Sequence, residues 1–233
     1  MPRIARVVFP GAPHHVTQRG NRREQVFFVH SDHHRYLNCL RQYAVQYDLD
    51  VLAYCLMPNH VHLVVVPATE HALHRVMKPL HMRYAQYFNR ARGLNGRVWQ
   101  GRYFSSPLDE IYLWNAIRYV ELNPVRARLT DRAEDFPWSS AAGHCGLSVD
   151  SLLTSKPLWR RQKDGIGDWS AWLAAGDEAA SLTQLRRNTQ KGLPCGSPGF
   201  IQALERATSR HILQRPQGRP RKVSVEKGVA SPF

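Results

Sequence analysis

Residues 51–66 read VLAYCLMPNHVHLVVV, two apolar runs separated by Pro58-Asn59. The first run, Val51 to Met57, has no helical stripe, and the second, His60 to Val66, is rich in β-branched residues and ends at a proline. Such runs favour strands, and the Pro-Asn pair between them is typical of a turn. The segment therefore predicts two adjacent strands joined by a tight turn.

The flanking sequence supplies further elements on both sides of this hairpin. His14 to Gln18 predicts a first strand closed by a turn at residues 19–21, and Arg97 to Phe104 predicts a fourth strand. Apolar residues at helical spacing predict one helix from His34 to Tyr47, with Asp32 as its cap, and another from Leu73 to Ala91. Gly93 should end the second helix, and Pro79 should kink or divide it. A third helix should run from Asp109 to about Asn123, where Pro124 stops it.

The resulting order, β-α-β-β-α-β followed by one helix, is typical of an α+β fold with a ferredoxin-like antiparallel sheet. We expect two regions, 1–145 as a domain of this fold and 146–233 as a basic, mainly helical extension. Within the extension, short helices are predicted near residues 169–175, 178–188 and 199–210, and a flexible tail from about residue 215.

The composition indicates the class of partner. The 32 Lys and Arg residues against 18 Asp and Glu give a formal net charge of +14, which points to a polyanion. No apolar run is long enough for a membrane span, and the basic start of the chain lacks a secretory pattern. The four cysteines are scattered without a CxxC pair, as expected for reduced thiols in the cytoplasm.

Two histidines stand out in the hairpin. His60 and His62 are separated by one residue on a predicted strand, so their side chains project from the same face. Both imidazoles could then reach one cation, whereas two buried imidazoles without partners would cost free energy. The spacing alone leaves a second interpretation open, in which both are hydrogen-bonded strand histidines.

The third helix adds to this pair. Tyr119 and Asn123 lie four residues apart and so share one helix face. Beside the histidines they would combine a phenol nucleophile with a cation site of two imidazole nitrogens and one amide oxygen. The alternative is that Tyr119 is a core aromatic and Asn123 only marks the helix end. Tyr112 is a less favoured candidate nucleophile, because no Asn-Pro motif follows it.

Several ordered motifs resemble one protein family. They are residues 57–63 (MPNHVHL), 84–89 (YAQYFN), 99–103 (WQGRY), 118–127 (RYVELNPVRA) and 137–140 (PWSS), with HVTQRGN at 15–21. Together they resemble the single-tyrosine HUH transposases, and among these the bacterial REP-associated tyrosine transposases. The resemblance covers roughly residues 10 to 145.

This resemblance implies a metal-dependent enzyme that nicks and rejoins single-stranded DNA carrying a hairpin, such as a REP palindrome. It implies that His60 and His62 bind Mg²⁺ or Mn²⁺, that Tyr119 attacks a phosphate to form a 5′-phosphotyrosine link, and that Asn123 is the third ligand. Some relatives have Gln where this chain has the shorter Asn. We expect a cytoplasmic, nucleoid-associated bacterial protein, monomeric or homodimeric. The alternative is a catalytically silent regulator that binds hairpin DNA.

Basic residues along the chain are the expected DNA contacts. Those near the motifs are Arg19, Arg22, Arg102, Arg118 and Arg126, joined by the polar Asn21, and those in the tail are Arg219, Arg221 and Lys222. Residues 186–222 contain nine Lys and Arg residues and one acid, so that segment carries 9 − 1 = +8 of the net charge. Its Gly-Arg-Pro-Arg-Lys sequence at 218–222 resembles an AT-hook, which lies in a narrow minor groove. Arg118 is also expected to help Tyr119 to ionise, because a free tyrosine loses its proton only near about pH 10.

Overall fold

A computed structural model describes residues 7–176, 179–209, 211 and 212. The strands are β1 (His14–Arg19), β2 (Leu49–Met57), β3 (His60–Pro67) and β4 (Phe104–Pro107). The helices are α1 (His30–Gln46), α2 (Ala72–Arg92), α3 (Glu110–Glu121), α4 (Asn123–Arg126), α5 (Ala141–His144), α6 (Pro157–Asp164), α7 (Trp169–Ala174), α8 (Ala179–Lys191) and α9 (Pro198–Thr208).

The four strands form one antiparallel sheet in the order β2-β3-β1-β4. This order follows from the β-α-β-β-α-β sequence of elements and confirms the predicted α+β, ferredoxin-like fold. The hairpin of β2 and β3 turns at Pro58-Asn59, as predicted, and pairs Met57 with His60. Strand β3 is therefore a central strand with neighbours on both edges.

The sheet buries a core on each face. On one face α1 and α2 pack against alternate residues of β3, among them Leu63, with Tyr36 and Met77 fully buried there. On the other face Val64 packs with Ile117 of α3. The alternation of side chains along β3 places His60 and His62 on this second face, the one that α3 covers.

The fourth strand is shorter than the sequence pattern predicts and begins further along the chain. The predicted span, Arg97 to Phe104, contains Val98, Trp99 and Tyr103, whose side chains are buried in the first core. Only an isolated bridge between Trp99 and Gly20 forms there, and β4 begins at Phe104. The prediction was wrong because these aromatic side chains are buried by a loop rather than by strand pairing.

The helix boundaries differ from the predictions in three places. Asp32 does not precede α1 but lies in its first turn, where it accepts from the Phe28 and Val29 amides at 2.8 and 3.3 Å. Pro79 lies inside α2 without dividing it, and Gly93 ends that helix in a left-handed conformation as predicted. Pro124 does not stop α3, which ends at Glu121; it occupies the first turn of α4, where a missing N–H costs nothing.

The extension is helical and packs against the second face of the sheet domain. The three predicted segments correspond to α7, α8 and α9, whereas α5 and α6 were not predicted. Helix α8 contacts α3, β4 and β1, so it lies over the face that carries the two histidines. None of the described helices is long and apolar enough to cross a membrane. The predicted tail and its AT-hook-like segment lie outside the described residues.

Candidate active site

The second face of the sheet opens into a cavity of about 600 Å³ beside β3 and β1. Its position follows from the strand register, which pairs Thr17 with His62 and Arg19 with His60. The lining residues are His15, Thr17, Arg19, Arg23, His60, His62, Gln100, Phe104, Tyr119, Asn123, Arg186, Thr189 and Gln190. The structure thus brings together four residues that the sequence analysis selected separately: His60, His62, Tyr119 and Asn123.

His60 is held by the residue before it. Its Nδ1 lies 2.6 Å from Oδ1 of Asn59, so Nδ1–H donates and the lone pair is on Nε2. Burial, reinforced by the charge of Arg19, lowers the pKa of His60 to about 4. The imidazole is therefore neutral at pH 7, as a metal ligand must be.

His62 lies deeper, and its Nδ1 is 2.9 Å from Nε2 of His15. Burial, together with the neighbouring His60, holds the pKa of His62 well below its ordinary value. Its Nε2 is buried and, among the described residues, has no hydrogen-bond partner. Because a buried polar atom without a partner costs free energy, a cation bound at this nitrogen would offset that cost.

His15 is the residue of this cluster that the sequence analysis missed. It is fully buried, its Nδ1 lies 2.8 Å from Thr189 Oγ1, and burial lowers its pKa to about 3. The missed signal is the alternation of β1, which pairs with β3 and presents His15 and Thr17 on the same face as His62. For Thr189, which comes from α8, the sequence offers no such signal.

Tyr119 reaches the histidines of its own chain from α3. Its ring lies edge-on to His62 and His15, with centroid separations of 5.3 and 5.7 Å, and its exposed fraction is 6%. Two guanidinium groups lie against the ring, Arg126 at 4.6 Å and Arg186 at 5.2 Å from its centroid. Both guanidinium groups are thus within cation–π distance of the Tyr119 ring.

Arg118 is placed differently from our expectation. Its guanidinium stacks 4.1 Å from the ring of Trp172 and donates to the Gly176 carbonyl at 2.8 Å, and it does not line the cavity. This placement does not support the expectation that Arg118 assists ionisation of the tyrosine. The guanidinium groups that lie against the Tyr119 ring are those of Arg126 and Arg186.

Asn123 begins α4 and is nearly buried in the cavity wall. Its Nδ2 donates to the Tyr119 carbonyl at 3.0 Å and to the Val120 carbonyl at 3.4 Å. The amide nitrogen is thereby occupied, which leaves Oδ1 as the atom that can face a cation. Tyr119 and Asn123 do not share one helix, because α3 ends between them. They nevertheless line the same cavity, and the bond from Asn123 Nδ2 to the Tyr119 carbonyl links them.

The donor set fits a borderline divalent cation. No cluster of three or more His, Cys, Asp or Glu side chains in the described part of the chain forms a metal site. The candidate ligands are instead two imidazoles and one amide oxygen, and His15 is not among them because its Nε2 bonds to His62. Imidazole and oxygen donors together suit Mn²⁺, and a site with few protein ligands leaves positions for phosphate oxygens. The unpartnered Nε2 of His62 supports the fit.

The other predicted residues differ in their positions relative to the cavity. Arg19 lines the cavity, whereas Arg22 and Arg102 are exposed and Asn21 is half-buried. Arg23, which we did not predict, also lines it. Tyr112 is half-buried against the second core and does not line the cavity. Arg219, Arg221 and Lys222 lie outside the described residues.

Comparisons with known proteins agree with this architecture. Residues 10–123 match the family model described as transposase, IS200-like. The fold is similar to the structure of a REP-associated tyrosine transposase bound to a REP hairpin, with 16% identity and a TM-score of 0.51; the match covers 67% of this chain and 99% of that one. A candidate transposase from Deinococcus radiodurans R1 matches with 21% identity and a TM-score of 0.36, covering 55% of this chain and 92% of that one. No protein of curated function matches the chain significantly in sequence.

Proposed function

We propose that the chain is a metal-dependent tyrosine transposase that cuts and rejoins single-stranded DNA, because residues 10–123 match the IS200-like transposase family model. One observation carries the proposal: Tyr119, His60, His62 and Asn123 line a single cavity. A phenol and a set of neutral cation ligands in one place are what phosphoryl transfer to a tyrosine needs.

The reaction begins with the tyrosine. The Tyr119 Oη attacks the scissile phosphorus, the bond from phosphorus to the 3′ oxygen breaks, and that oxygen leaves as a 3′ hydroxyl with the proton given up by the phenol. The product is a 5′-phosphotyrosine link that retains one phosphodiester bond. Attack by a second 3′ hydroxyl reverses the step and joins the strands without ATP.

The surrounding residues orient and stabilise these groups. Arg126 and Arg186 lie against the Tyr119 ring and orient it through cation–π contacts. His60, His62 and Asn123 would hold a divalent cation, which would polarise the scissile phosphate and stabilise charge on its oxygens. Arg19 and Arg23 at the cavity wall are placed for phosphate contacts.

The DNA substrate we propose is a single strand with a hairpin of the REP type, bound by a cytoplasmic protein. The fold similarity to a transposase bound to a REP hairpin and the net charge of +14 support this choice. A polyanion suits a cavity lined by Arg19, Arg23 and Arg186.

The test uses single-stranded oligonucleotides that contain the palindromes flanking the gene of this protein, with Mg²⁺ or Mn²⁺. A 3′ label follows the fragment that stays on the protein, and a 5′ label follows the fragment released with a 3′ hydroxyl. We expect a labelled protein band on a denaturing gel that disappears in excess chelator and in the variant Tyr119→Phe. Hairpin binding by that variant should be nearly unchanged.

Tyr112→Phe is the matched control, since it removes the same hydroxyl from the same helix outside the cavity. It should give the adduct at the wild-type level. An adduct that survives Tyr119→Phe would place the nucleophile elsewhere. Hairpin binding by the wild type without any adduct or cleavage would instead favour a catalytically silent regulator.

A further inference from the structure

We propose that His15 and Thr189 are positioning residues that fix the tautomer of His62 and so determine whether its Nε2 can bind a cation. The metal-binding part of this inference rests on the proposed function. The observation behind it is a continuous line of hydrogen-bond distances from α8 to the candidate ligand: Thr189 Oγ1 to His15 Nδ1 at 2.8 Å, and His15 Nε2 to His62 Nδ1 at 2.9 Å.

Binding of a cation at His62 Nε2 determines which atom donates in each hydrogen bond of this line. A neutral imidazole carries one N–H, so a cation on His62 Nε2 requires the proton on His62 Nδ1. That N–H donates to His15 Nε2, which must then be a bare acceptor. His15 consequently carries its own proton on Nδ1 and donates it to the Thr189 hydroxyl oxygen. In this direction each N–H of the line has an acceptor.

The opposite direction is the competing state. If His15 carried its proton on Nε2, His62 would accept at Nδ1 and carry an N–H on Nε2. That N–H would be a buried donor without a partner among the described residues, and no lone pair would face the cavity. The Thr189 hydroxyl can accept from His15 Nδ1–H in the first state or donate to a bare Nδ1 in the second, so the unpartnered N–H of His62 is what disfavours the second state. Without the hydroxyl, the first state would also leave a buried N–H unpartnered, at His15 Nδ1.

The geometry of the two rings supports a fixed pair. His15 and His62 are parallel to within 2°, with centroids 5.1 Å apart, and both are buried. Thr189 is 1% exposed on a helix that the buried Leu185 anchors to the second core. Neither water nor another described side chain therefore replaces the hydroxyl easily.

Thr189 also lies outside the segment that matches the transposase family, residues 10–123. A helix outside the family segment therefore supports one candidate metal ligand, through His15. His60 differs in this respect, because its Nδ1 partner is the adjacent Asn59. We expect the extension to influence one ligand and not the other.

The test compares full-length Thr189→Val, which keeps the shape and removes the hydroxyl, with Thr189→Ser, which restores it. Thr183→Val is the matched control, since it is an exposed threonine on the same helix. Calorimetric titration with Mn²⁺ in the absence of DNA should give an affinity lowered about 10-fold in Thr189→Val, the lower end of the effect typical for such outer partners. Thr189→Ser and Thr183→Val should bind Mn²⁺ as the wild type does.

Nitrogen-15 NMR of the histidine rings in the metal-free protein provides a second readout that needs neither metal nor activity. We expect His62 and His15 to be protonated on Nδ1 in the wild type, and the Nε2-protonated form of His62 to gain population in Thr189→Val. His15→Gln, whose amide oxygen can still accept, should retain more Mn²⁺ affinity than His15→Leu.

Two results would overturn the inference: a wild-type His62 protonated on Nε2, or Thr189→Val with wild-type Mn²⁺ affinity and unchanged tautomers. If the proposed function were wrong, the wild type would neither bind Mn²⁺ nor form an adduct. The NMR spectra would still show whether the hydrogen bonds from Thr189 through His15 set the His62 tautomer.

Discussion

At the residue scale, burial keeps the histidines around β1 and β3 neutral. Burial lowers the pKa of His15 to about 3 and those of His14 and His60 to about 4. An uncharged imidazole neither repels a divalent cation nor has to lose a proton before it binds one. The sheet that positions the ligands therefore also sets their charge.

His14 gives a prediction about pH and stability. Its Nε2 accepts from the Phe9 amide at 3.2 Å and its Nδ1 donates to the Ala12 carbonyl at 2.8 Å, so protonation would break the first bond. Since burial lowers its folded pKa to about 4, the unfolded chain binds a proton first, and stability falls as the pH decreases from about 6.5 to about 4. Between pH 7 and pH 5, the wild type should lose about 2 kcal/mol more of its unfolding free energy than His14→Gln does, measured by urea unfolding. Equal losses in both proteins would contradict this assignment.

At the element scale, a buried carboxylate anchors the end of α3. Glu121 is fully buried and accepts from His144 Nδ1 at 2.7 Å, from Trp169 Nε1 at 2.8 Å and from the Ser140 hydroxyl. These donors lie in or beside α5 and at the start of α7. The helix that carries Tyr119 is thus tied to the residues that follow the sheet domain.

Glu121→Gln should destabilise the protein by about 3 kcal/mol in urea unfolding at pH 7, because the amide nitrogen replaces an acceptor that faces several donors. Glu110→Gln, an exposed substitution in the first turn of the same helix, should cost less than about 1 kcal/mol. Equal effects of the two substitutions would show that the buried contacts contribute little to holding α3.

Elements with a clear period could be predicted from the sequence, and those set by distant packing could not. The β2–β3 hairpin and α2 follow from β-branched runs and a helical stripe. The segment before β4 has the composition of a strand, yet tertiary packing buries its aromatic residues in a loop. A proline such as Pro124 can end one helix or occupy the first turn of the next, and the local sequence does not distinguish these two positions.

At the scale of the whole molecule, the site is completed by residues far apart in the chain. His60, His62 and Tyr119 could be found because strand alternation and a motif mark them. Thr189 contacts His15 across 174 positions, and Arg186 reaches Tyr119 from the same helix. No periodicity connects such positions, so only the fold reveals that α8 closes the cavity.

The basic tail gives a prediction for the intact protein and a variant ending at residue 214. We proposed DNA contacts for Arg219, Arg221 and Lys222, and each phosphate of a single strand that such a cation neutralises adds about 0.7 to the salt slope. The truncation removes these three residues together with Arg215 and Lys227. It should weaken hairpin binding and reduce the slope by about 2 units or more, measured by fluorescence anisotropy at several salt concentrations. Mn²⁺ affinity should not change. An unaltered slope would exclude the tail from DNA binding.

The central claim is that Tyr119 forms the covalent bond to DNA, and peptide mapping of the adduct tests it most directly. Trypsin cleaves after Arg118 and Arg126 and so isolates Tyr119 on a peptide of its own, YVELNPVR, apart from Tyr112. After nuclease treatment of the adduct, tandem mass spectrometry should locate a nucleotide phosphate on Tyr119. A phosphonucleotide on the peptide that contains Tyr112, or on any other residue, would contradict the account.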